Sequence, residues 1–182
     1  EEAILALDRS GLFRDELEFS RNLEKAVKNV KAFQMPSKVH VGKRRIRYSD
    51  ISEVALVGMG GSAIAGDILK DWIGEEISVP LETVRGYGLP GYVDENSLVF
   101  FTSYSGNTEE TLSCMVEAVK RGCKTISICS DGALQRVSES LGLPLIGLPR
   151  MAAARASLPY LFAPLPYLLA QLGLLSVDKV ER

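Results

Sequence analysis

The stretch from Ser103 to Thr111 constrains the fold more than any other part of the sequence. It directly follows the apolar run Leu98–Phe101, which predicts a buried strand. It directly precedes a pattern of apolar residues at helical spacing, namely Leu112, Met115, Val116 and Val119. The sequence therefore predicts a strand, then a loop rich in hydroxyl groups, then a helix.

Two roles are open for this hydroxyl-rich loop. The first amides of a helix have no intrahelical acceptor and carry partial positive charge, so together with hydroxyl groups they can hold a phosphate monoester. Gly106 would let the backbone come close to such a ligand. Alternatively, Asn107 or Thr108 is an ordinary N-cap, and Glu110 or Thr111 completes a capping box. The loop residues alone do not decide between a phosphate site and a cap.

A glycine-rich loop occupies the same kind of position earlier in the chain. The apolar run Glu53–Val57 predicts a strand, and it meets the loop Gly58–Ala63. A helix then follows, marked by Ile64, Ile68, Leu69 and Trp72. The loop also matches the dinucleotide-binding fingerprint, with Gly58, Gly60 and Ala63 at its small positions.

Strands and helices continue to alternate along the chain. Further strands are predicted at Ile77–Val84, Thr125–Cys129 and Leu145–Leu148. This spacing predicts an α/β fold, a doubly wound five-stranded parallel sheet with helices on both faces. In a flavodoxin-like strand order 2-1-3-4-5, the glycine loop and the hydroxyl loop would face one crevice at the carboxyl ends of the strands. Such a pair of loops suits a phosphosugar better than a dinucleotide, because a dinucleotide needs only the glycine loop.

The first 50 residues are interpreted as an N-terminal helix and a connecting segment, and residues 51–182 as the main domain. Apolar residues at helical spacing predict the helix from Asp15 to Gln34. The basic patch Lys43–Arg47 could form a phosphate or nucleic-acid site, but a solvated hairpin or loop is favoured because short basic patches are common on surfaces. His40 is the only histidine, and it is assigned a structural role because no catalytic partner is identified.

Composition narrows the class of protein. The formal net charge of -2 gives no global basic field that would attract nucleic acid or an anionic membrane. The three cysteines, Cys114, Cys123 and Cys129, lie in apolar contexts without metal-ligand spacing, which favours buried reduced thiols and a cytoplasmic location. The first residues lack the basic region of a signal peptide, and the missing initiator methionine suggests a trimmed or partial sequence.

The segment Ser157–Leu175 is strongly apolar, so a membrane-spanning helix has to be considered. Its prolines and Gln171 favour instead a kinked helix packed on the sheet, on another domain or on another subunit. A helix that is apolar around most of its circumference must be buried on several sides. We therefore expect part of this helix to remain exposed in a monomer, and a dimer to form through it.

Three segments of the chain resemble one known family: Val57–Asp67, Ser103–Thr111 and Arg155–Tyr160. They are similar to the archaeal-type bifunctional phosphoglucose/phosphomannose isomerases, whose broader superfamily is that of the sugar isomerase (SIS) domain. The resemblance implies that the substrate is bound by Gly60, Gly61 and Ser62 and its phosphate by Ser103, Ser105 and Thr108. It also implies that Arg155 stabilises the negative charge of an enediol(ate)-like intermediate.

The activity implied by the resemblance is aldose–ketose isomerisation of glucose 6-phosphate and mannose 6-phosphate to fructose 6-phosphate. The sugar ring opens, and a general base then moves a proton between C1 and C2 through a cis-enediol. The implied enzyme works in carbohydrate metabolism, in glycolysis and gluconeogenesis. It needs no metal or redox cofactor, forms a homodimer, and has a hexose 6-phosphate as its partner rather than nucleic acid or a membrane.

The sequence also departs from the family pattern. Family members carry two such domains, and the second supplies the base glutamate, a ring-opening histidine and a lysine; no residue here matches them. We therefore expect this chain to bind hexose 6-phosphates without turning them over at a useful rate. The alternatives are a stand-alone phosphosugar-binding regulatory module and a nucleotide-dependent oxidoreductase, the latter leaving the hydroxyl loop unexplained.

Overall fold

The structure is a computed structural model that describes residues 6–181. Helices span Leu12–Leu17 (α1), Phe19–Ala32 (α2), Gly61–Ile73 (α3), Glu109–Arg121 (α4), Gly132–Leu141 (α5), Leu158–Phe162 (α6), Pro164–Gln171 (α7) and Val177–Glu181 (α8). Strands span Lys38–Val41 (β1), Arg44–Arg47 (β2), Val54–Val57 (β3), Leu81–Val84 (β4), Leu98–Ser103 (β5), Lys124–Cys129 (β6) and Leu145–Gly147 (β7). A 3₁₀ helix, Ala154–Ser157, precedes α6.

The central sheet has five parallel strands in the order β4-β3-β5-β6-β7. Numbered along the chain, this is the predicted order 2-1-3-4-5, so the predicted fold class is confirmed. From β3 the chain passes through α3 to β4, toward one edge of the sheet. From β5 it passes through α4 and α5 to β6 and β7, toward the other edge. Because such crossovers are right-handed, α3 lies on one face of the sheet and α4 and α5 lie on the other.

The three central strands are buried along their whole length, as expected for parallel strands covered on both faces. Their apolar side chains include the largest fully buried residues of the core, among them Leu56, Phe100, Phe101, Ile126 and Ile128. The apolar run of β5 gives way to Thr102 and Ser103 at its carboxyl end. This change from apolar to hydroxyl side chains marks the edge of the sheet where a ligand can approach.

The boundaries of three predicted elements differ from the structure by two residues or more. The strand predicted from Ile77 begins only at Leu81, because Pro80 has no amide to donate and contributes its carbonyl, which accepts from the Val54 amide at 2.8 Å. Strand β5 continues two residues beyond Phe101, to Ser103. The helix predicted from Asp15 is divided at Glu18 into α1 and α2.

The basic patch lies on a β-hairpin, in which β1 and β2 pair antiparallel. This confirms the interpretation of the patch as a hairpin. The inner face of the hairpin buries Val39 and Ile46, and the hydroxyl of the following Tyr48 donates to the Thr125 carbonyl at 2.7 Å. Burial raises the pKa of Tyr48, which therefore keeps this proton. The hairpin is thus fixed at the amino end of β6.

The apolar C-terminal segment is kinked, as predicted. Its 3₁₀ helix, α6 and α7 follow one another closely, with prolines at the starts of both α-helices. The expectation that one side stays exposed is wrong: Leu161, Leu165, Leu168 and Leu169 are each 0% exposed. Helices α2 and α3 both pack against this segment, and the Tyr160 hydroxyl donates to Asn22 Oδ1 at 3.2 Å. Among residues 6–181 no helix has the length and apolarity to cross a membrane.

Burial of α7 within the chain predicts a large loss of stability when its core side chains are shortened. Replacing a fully buried leucine with alanine costs about 2–5 kcal/mol, so Leu165→Ala should lower the free energy of unfolding by that amount. The control Leu17→Ala changes a side chain in a half-exposed residue and should cost about 0.5 kcal/mol or less. Urea denaturation measures both. Equal, small losses would show that α7 is not part of the core.

Candidate functional site

The glycine loop after β3 is shaped by close backbone packing. A Cβ added at Gly58 would lie 2.6 Å from Thr102 Oγ1. That hydroxyl lies 3.1 Å from the Val57 carbonyl and 3.0 Å from the Ser62 carbonyl, and it can donate to either. Gly60 has φ +52, in the region that favours glycine, and α3 begins at the next residue. The small residues of the fingerprint therefore have a packing reason that requires no dinucleotide.

The hydroxyl loop after β5 divides its side chains between two tasks. Ser103 is 1% exposed, and its Oγ accepts from the Gly106 amide at 3.1 Å and lies 3.0 Å from Thr108 Oγ1. Ser103 therefore holds the loop and positions Thr108. Ser105 is exposed and Thr108 is half-buried, so their hydroxyls lie nearer the surface.

The capping alternative for this loop is wrong. Thr108 occupies the N-cap position of α4, but no side chain makes a capping hydrogen bond there. The Asn107 side chain is used elsewhere: its Oδ1 accepts from the Ala133 amide at 2.9 Å, at the start of α5. Within residues 6–181 the amides of Glu109 and Glu110 have no acceptor, as expected for the first turn of a helix. The N-terminus of α4 therefore keeps its hydrogen-bond donors for a ligand.

The hydroxyl loop also packs directly against the start of α5. Gly106 has φ +64, and a Cβ there would lie only 1.7 Å from the Asp131 carbonyl oxygen. The Gly106 carbonyl in turn accepts from the Leu134 amide at 2.9 Å. The sequence analysis did not identify this contact, although a glycine at the start of a helix after a strand, here Gly132, was the available signal for a close approach.

Tyr104 connects the two loops to the segment that carries Arg155. Its amide donates to Ser62 Oγ at 3.3 Å, and its hydroxyl donates to the Met151 carbonyl at 2.7 Å and accepts from the Met151 amide at 2.8 Å. Asp15 also contributes: its Oδ2 accepts from the Ala152 amide at 2.8 Å. Sequence reasoning missed both residues, and no local pattern indicates these long-range contacts.

Arg155 lies in the 3₁₀ helix directly beside the glycine loop. A Cβ added at Gly61 would be 4.0 Å from Arg155 Cα. The Arg155 side chain is exposed, and its guanidinium has no hydrogen bond or ion pair with any residue from 6 to 181. The structure thus brings together all the predicted site residues, which are Gly60, Gly61, Ser62, Ser103, Ser105, Thr108 and Arg155.

The charged groups around the loops leave Arg155 as a cation available to a ligand. Glu110, and after it Glu109, both in the first turn of α4, raise the pKa of the neighbouring Tyr87. The Gly132 amide, and then Arg150 at 3.4 Å, lower the pKa of Asp131, so Arg150 is already engaged by a carboxylate. The groups of the loop that could bind an anion are therefore neutral donors and the helix N-terminus.

His40 and the basic patch lie elsewhere. They belong to the hairpin at the amino end of β6, whereas both loops leave carboxyl ends of strands. His40 therefore takes no part in the site formed by the loops.

Two loops and one arginine thus meet at the carboxyl edge of a doubly wound parallel sheet. The chain belongs to the SIS domain family, whose model matches residues 48–143, just over half of the chain.

The chain is also similar to individual curated proteins. The chain is 39% identical over 153 residues to the bifunctional phosphoglucose/phosphomannose isomerase of Caldicellulosiruptor bescii, covering 83% of this chain and 44% of that protein. It is 38% identical over 120 residues to the D-glucosamine-6-phosphate 4-epimerase of Sulfolobus acidocaldarius, covering 65% and 38% respectively. The chain thus spans less than half the length of these curated relatives.

The fold is shared with more distant proteins of known structure. The C-terminal domain of glucosamine-fructose-6-phosphate aminotransferase from Francisella tularensis matches with a TM-score of 0.57 at 19% identity, covering 90% of this chain and 49% of that one. At this level of identity the likeness concerns the fold alone.

Two glycines with the same positive φ provide a test of the contact beneath the hydroxyl loop. Gly106 and Gly142 both have φ +64, but a Cβ at Gly142 would meet nothing within 4 Å. Gly142→Ala should therefore cost about 1–2 kcal/mol, from backbone strain alone. Gly106→Ala carries the same strain and must also displace Asp131, which should add about 1–3 kcal/mol. Urea denaturation gives both values, and equal losses would show that the loop can move away from α5 freely.

Proposed function

We propose that this chain binds the phosphate of a hexose 6-phosphate and takes part in aldose–ketose isomerisation of glucose 6-phosphate and mannose 6-phosphate to fructose 6-phosphate. The observation that carries the proposal is the convergence of two loops and one unpaired guanidinium, in a chain 39% identical to a protein named for both isomerase activities. This reaction would place the protein in carbohydrate metabolism, in glycolysis and gluconeogenesis.

The phosphate is assigned to the start of α4. The hydroxyls of Ser105 and Thr108 and the amides of Glu109 and Glu110 can donate to its oxygens there. Ser103 acts by positioning Thr108, because its own oxygen is already bonded to the Gly106 amide. The sugar then extends toward the glycine loop. There Gly60 and Gly61 would let the backbone of the loop approach the sugar closely.

Arg155 is assigned the charge that develops during proton transfer. When a base removes the proton from C2 of the open-chain aldose, negative charge moves onto the C1 oxygen and forms an enediolate. The Arg155 guanidinium, which has no protein partner among the described residues, can stabilise that oxygen. The proposal assigns phosphate binding and charge stabilisation to this chain, and it assigns the chain no general base.

A second candidate reaction is epimerisation of an amino sugar phosphate, favoured by the 38% identity to a protein named D-glucosamine-6-phosphate 4-epimerase. It would use the same phosphate loop. A third candidate is a regulatory module that binds a phosphosugar without catalysis. These three candidate functions differ in whether Arg155 must stabilise an intermediate and in which sugar phosphate should bind most tightly.

The roles proposed for Thr108 and Arg155 predict that their variants differ in which ligand loses affinity. Thr108→Val removes a donor to a charged phosphate, worth about 1.5–3 kcal/mol, so it should weaken glucose 6-phosphate and the enediolate mimic 5-phosphoarabinonate equally, by roughly tenfold or more. Arg155→Gln should weaken the mimic at least about tenfold more than glucose 6-phosphate, since the guanidinium serves the intermediate. Calorimetric titration measures both affinities.

The control is Ser140→Ala, which removes an exposed hydroxyl bonded to the Val137 carbonyl, away from the loops, and should change neither affinity. Equal effects of Arg155→Gln on both ligands would favour the regulatory module. Tighter binding of glucosamine 6-phosphate than of glucose 6-phosphate would favour the epimerase.

The same proposal places the protein in the cytoplasm. The three cysteines are free and buried, and burial raises the pKa of each thiol to about 11. Buried, protonated thiols support a reducing compartment.

We further propose a homodimer, through α3 rather than through the C-terminal helices. Ile64, Ile68 and Trp72 recur at helical spacing on the outer face of α3 and are 47%, 39% and 37% exposed. Such a stripe is typical of an interface, and it begins in the turn that carries Gly61 and Ser62. A partner on this face would therefore lie beside the sugar-phosphate crevice.

A charge in the middle of the stripe should separate the protomers. Ile68→Glu places a carboxylate in an apolar contact without a partner and should give a monomer in light scattering across a concentration series. The control Val116→Glu adds the same charge at a 52% exposed apolar position on α4 and should leave the dimer intact. A wild-type chain that stays monomeric at every concentration would contradict the dimer.

A further inference from the structure

We propose that the cavity beneath the basic hairpin binds a small compound that carries a diphosphate or two phosphate groups. The cavity has a volume of about 530 Å³ and lies between β2 and the start of β6. It is at the amino end of the sheet, whereas the sugar-phosphate loops are at the carboxyl ends. The proposal is independent of the proposed isomerase function.

Cationic side chains dominate the lining of this cavity, although the chain as a whole has a net charge of -2. The lining includes Arg44, Arg45, Arg47, Arg121 and Lys124, against the carboxylates of Asp50 and Glu95. Within residues 6–181, no carboxylate lies within 4.0 Å of the three hairpin arginines. Among the described residues these three guanidinium groups therefore have no ion-pair partner.

Two of the cations are held in place. Lys124 is 4% exposed, and its Nζ donates to the Glu95 carbonyl at 2.7 Å. Arg44 Nη1 donates to the Lys120 carbonyl at 2.7 Å, and a Cβ at Gly122 would come within 3.3 Å of that nitrogen. A side chain at position 122 would therefore crowd the guanidinium. Both groups keep further donors and lose little freedom when an anion binds.

Arg121 contributes charge, but both of its terminal nitrogens already donate to the protein. Its Nη1 donates to the Pro90 and Val93 carbonyls, each at 2.7 Å, and its Nη2 donates to Glu117 at 2.6 Å. Glu117 neutralises it in part. The anion-binding donors are thus Lys124 and the hairpin arginines, and these still outnumber the acidic groups of the lining.

A diphosphate fits this cavity better than other anions. Guanidinium groups match phosphate oxygens with paired donors, and the volume lies within the range of about 300–1,000 Å³ that is usual for small-molecule sites. The cations are spread along a strand and its neighbours, which suits two phosphate groups better than one. None of the described residues lining the cavity is aromatic, so no stacking surface for a nucleobase is present.

The wall formed by the hairpin lies outside the matched part of the family. The family model begins at residue 48, whereas the hairpin ends at Arg47. The hairpin therefore precedes the segment that the family model matches, and it forms one wall of the cavity at the amino end of the sheet.

Inorganic pyrophosphate, titrated into the 182-residue chain, tests the proposal. The double variant Arg44→Gln/Arg47→Gln should bind it at least about tenfold more weakly than the wild type, because it removes two charged donors. The matched control Lys38→Gln/Lys43→Gln removes the same charge from the same hairpin, at positions that do not line the cavity, and should retain binding. Inorganic phosphate should bind more weakly than pyrophosphate.

Amide chemical shifts of the wild-type chain locate the bound pyrophosphate even if a variant fails to fold. Shifts at residues 44–50 and 121–124 are expected. Shifts confined to residues 103–110 would overturn the proposal, since pyrophosphate would then only occupy the sugar-phosphate loop. Equal losses in the two double variants, or equal binding of phosphate and pyrophosphate, would also overturn it.

Discussion

The candidate site depends on close backbone packing where β3, β5 and β6 end. At Gly58 the chain passes Thr102 with no room for a Cβ, and at Gly106 it meets the Asp131 carbonyl even more closely. These contacts bring the loops after three strands into one rigid surface. Hydrogen bonds from Tyr104 then attach the Arg155 segment to the same surface. A site that recognises one small anion needs such support, because its donors must be in place before the ligand arrives.

The same packing explains why the hydroxyl loop contains more hydroxyl groups than a phosphate needs. Ser103 is buried and bonded to the backbone of its own loop, so its loss would disturb the position of Thr108 rather than remove a donor. Asn107 likewise bridges to the start of α5. The outward donors are the two remaining hydroxyls and the first amides of α4. A polar loop is thus partly a scaffold, and its composition alone does not reveal which side chains reach a ligand.

The sheet order and the meeting of the two loops could be predicted from the sequence, because buried parallel strands have continuous apolar runs and crossovers have one hand. The place of Arg155 in the candidate site was inferred only from the family resemblance, since no local pattern places residue 155 beside residue 61. The prediction that part of the C-terminal helix remains exposed was wrong for a related reason. Periodicity shows that α7 needs cover, but not that α2, more than a hundred residues earlier, provides it.

Helix α4 runs from the carboxyl end of the sheet to the amino end, where the basic cavity lies. Its C-terminus indicates which cation of that cavity has a structural role. Its N-terminus has free amides, whereas its C-terminal carbonyls carry partial negative charge. Arg44 donates to the Lys120 carbonyl and so offsets that charge, which gives this arginine a structural reason to be present. Arg47 and Arg45 have no such contact with the described residues. Lys124 bonds one carbonyl and faces the same space. The dipole of α4 therefore accounts for one cation of the hairpin, and the others remain available to a ligand.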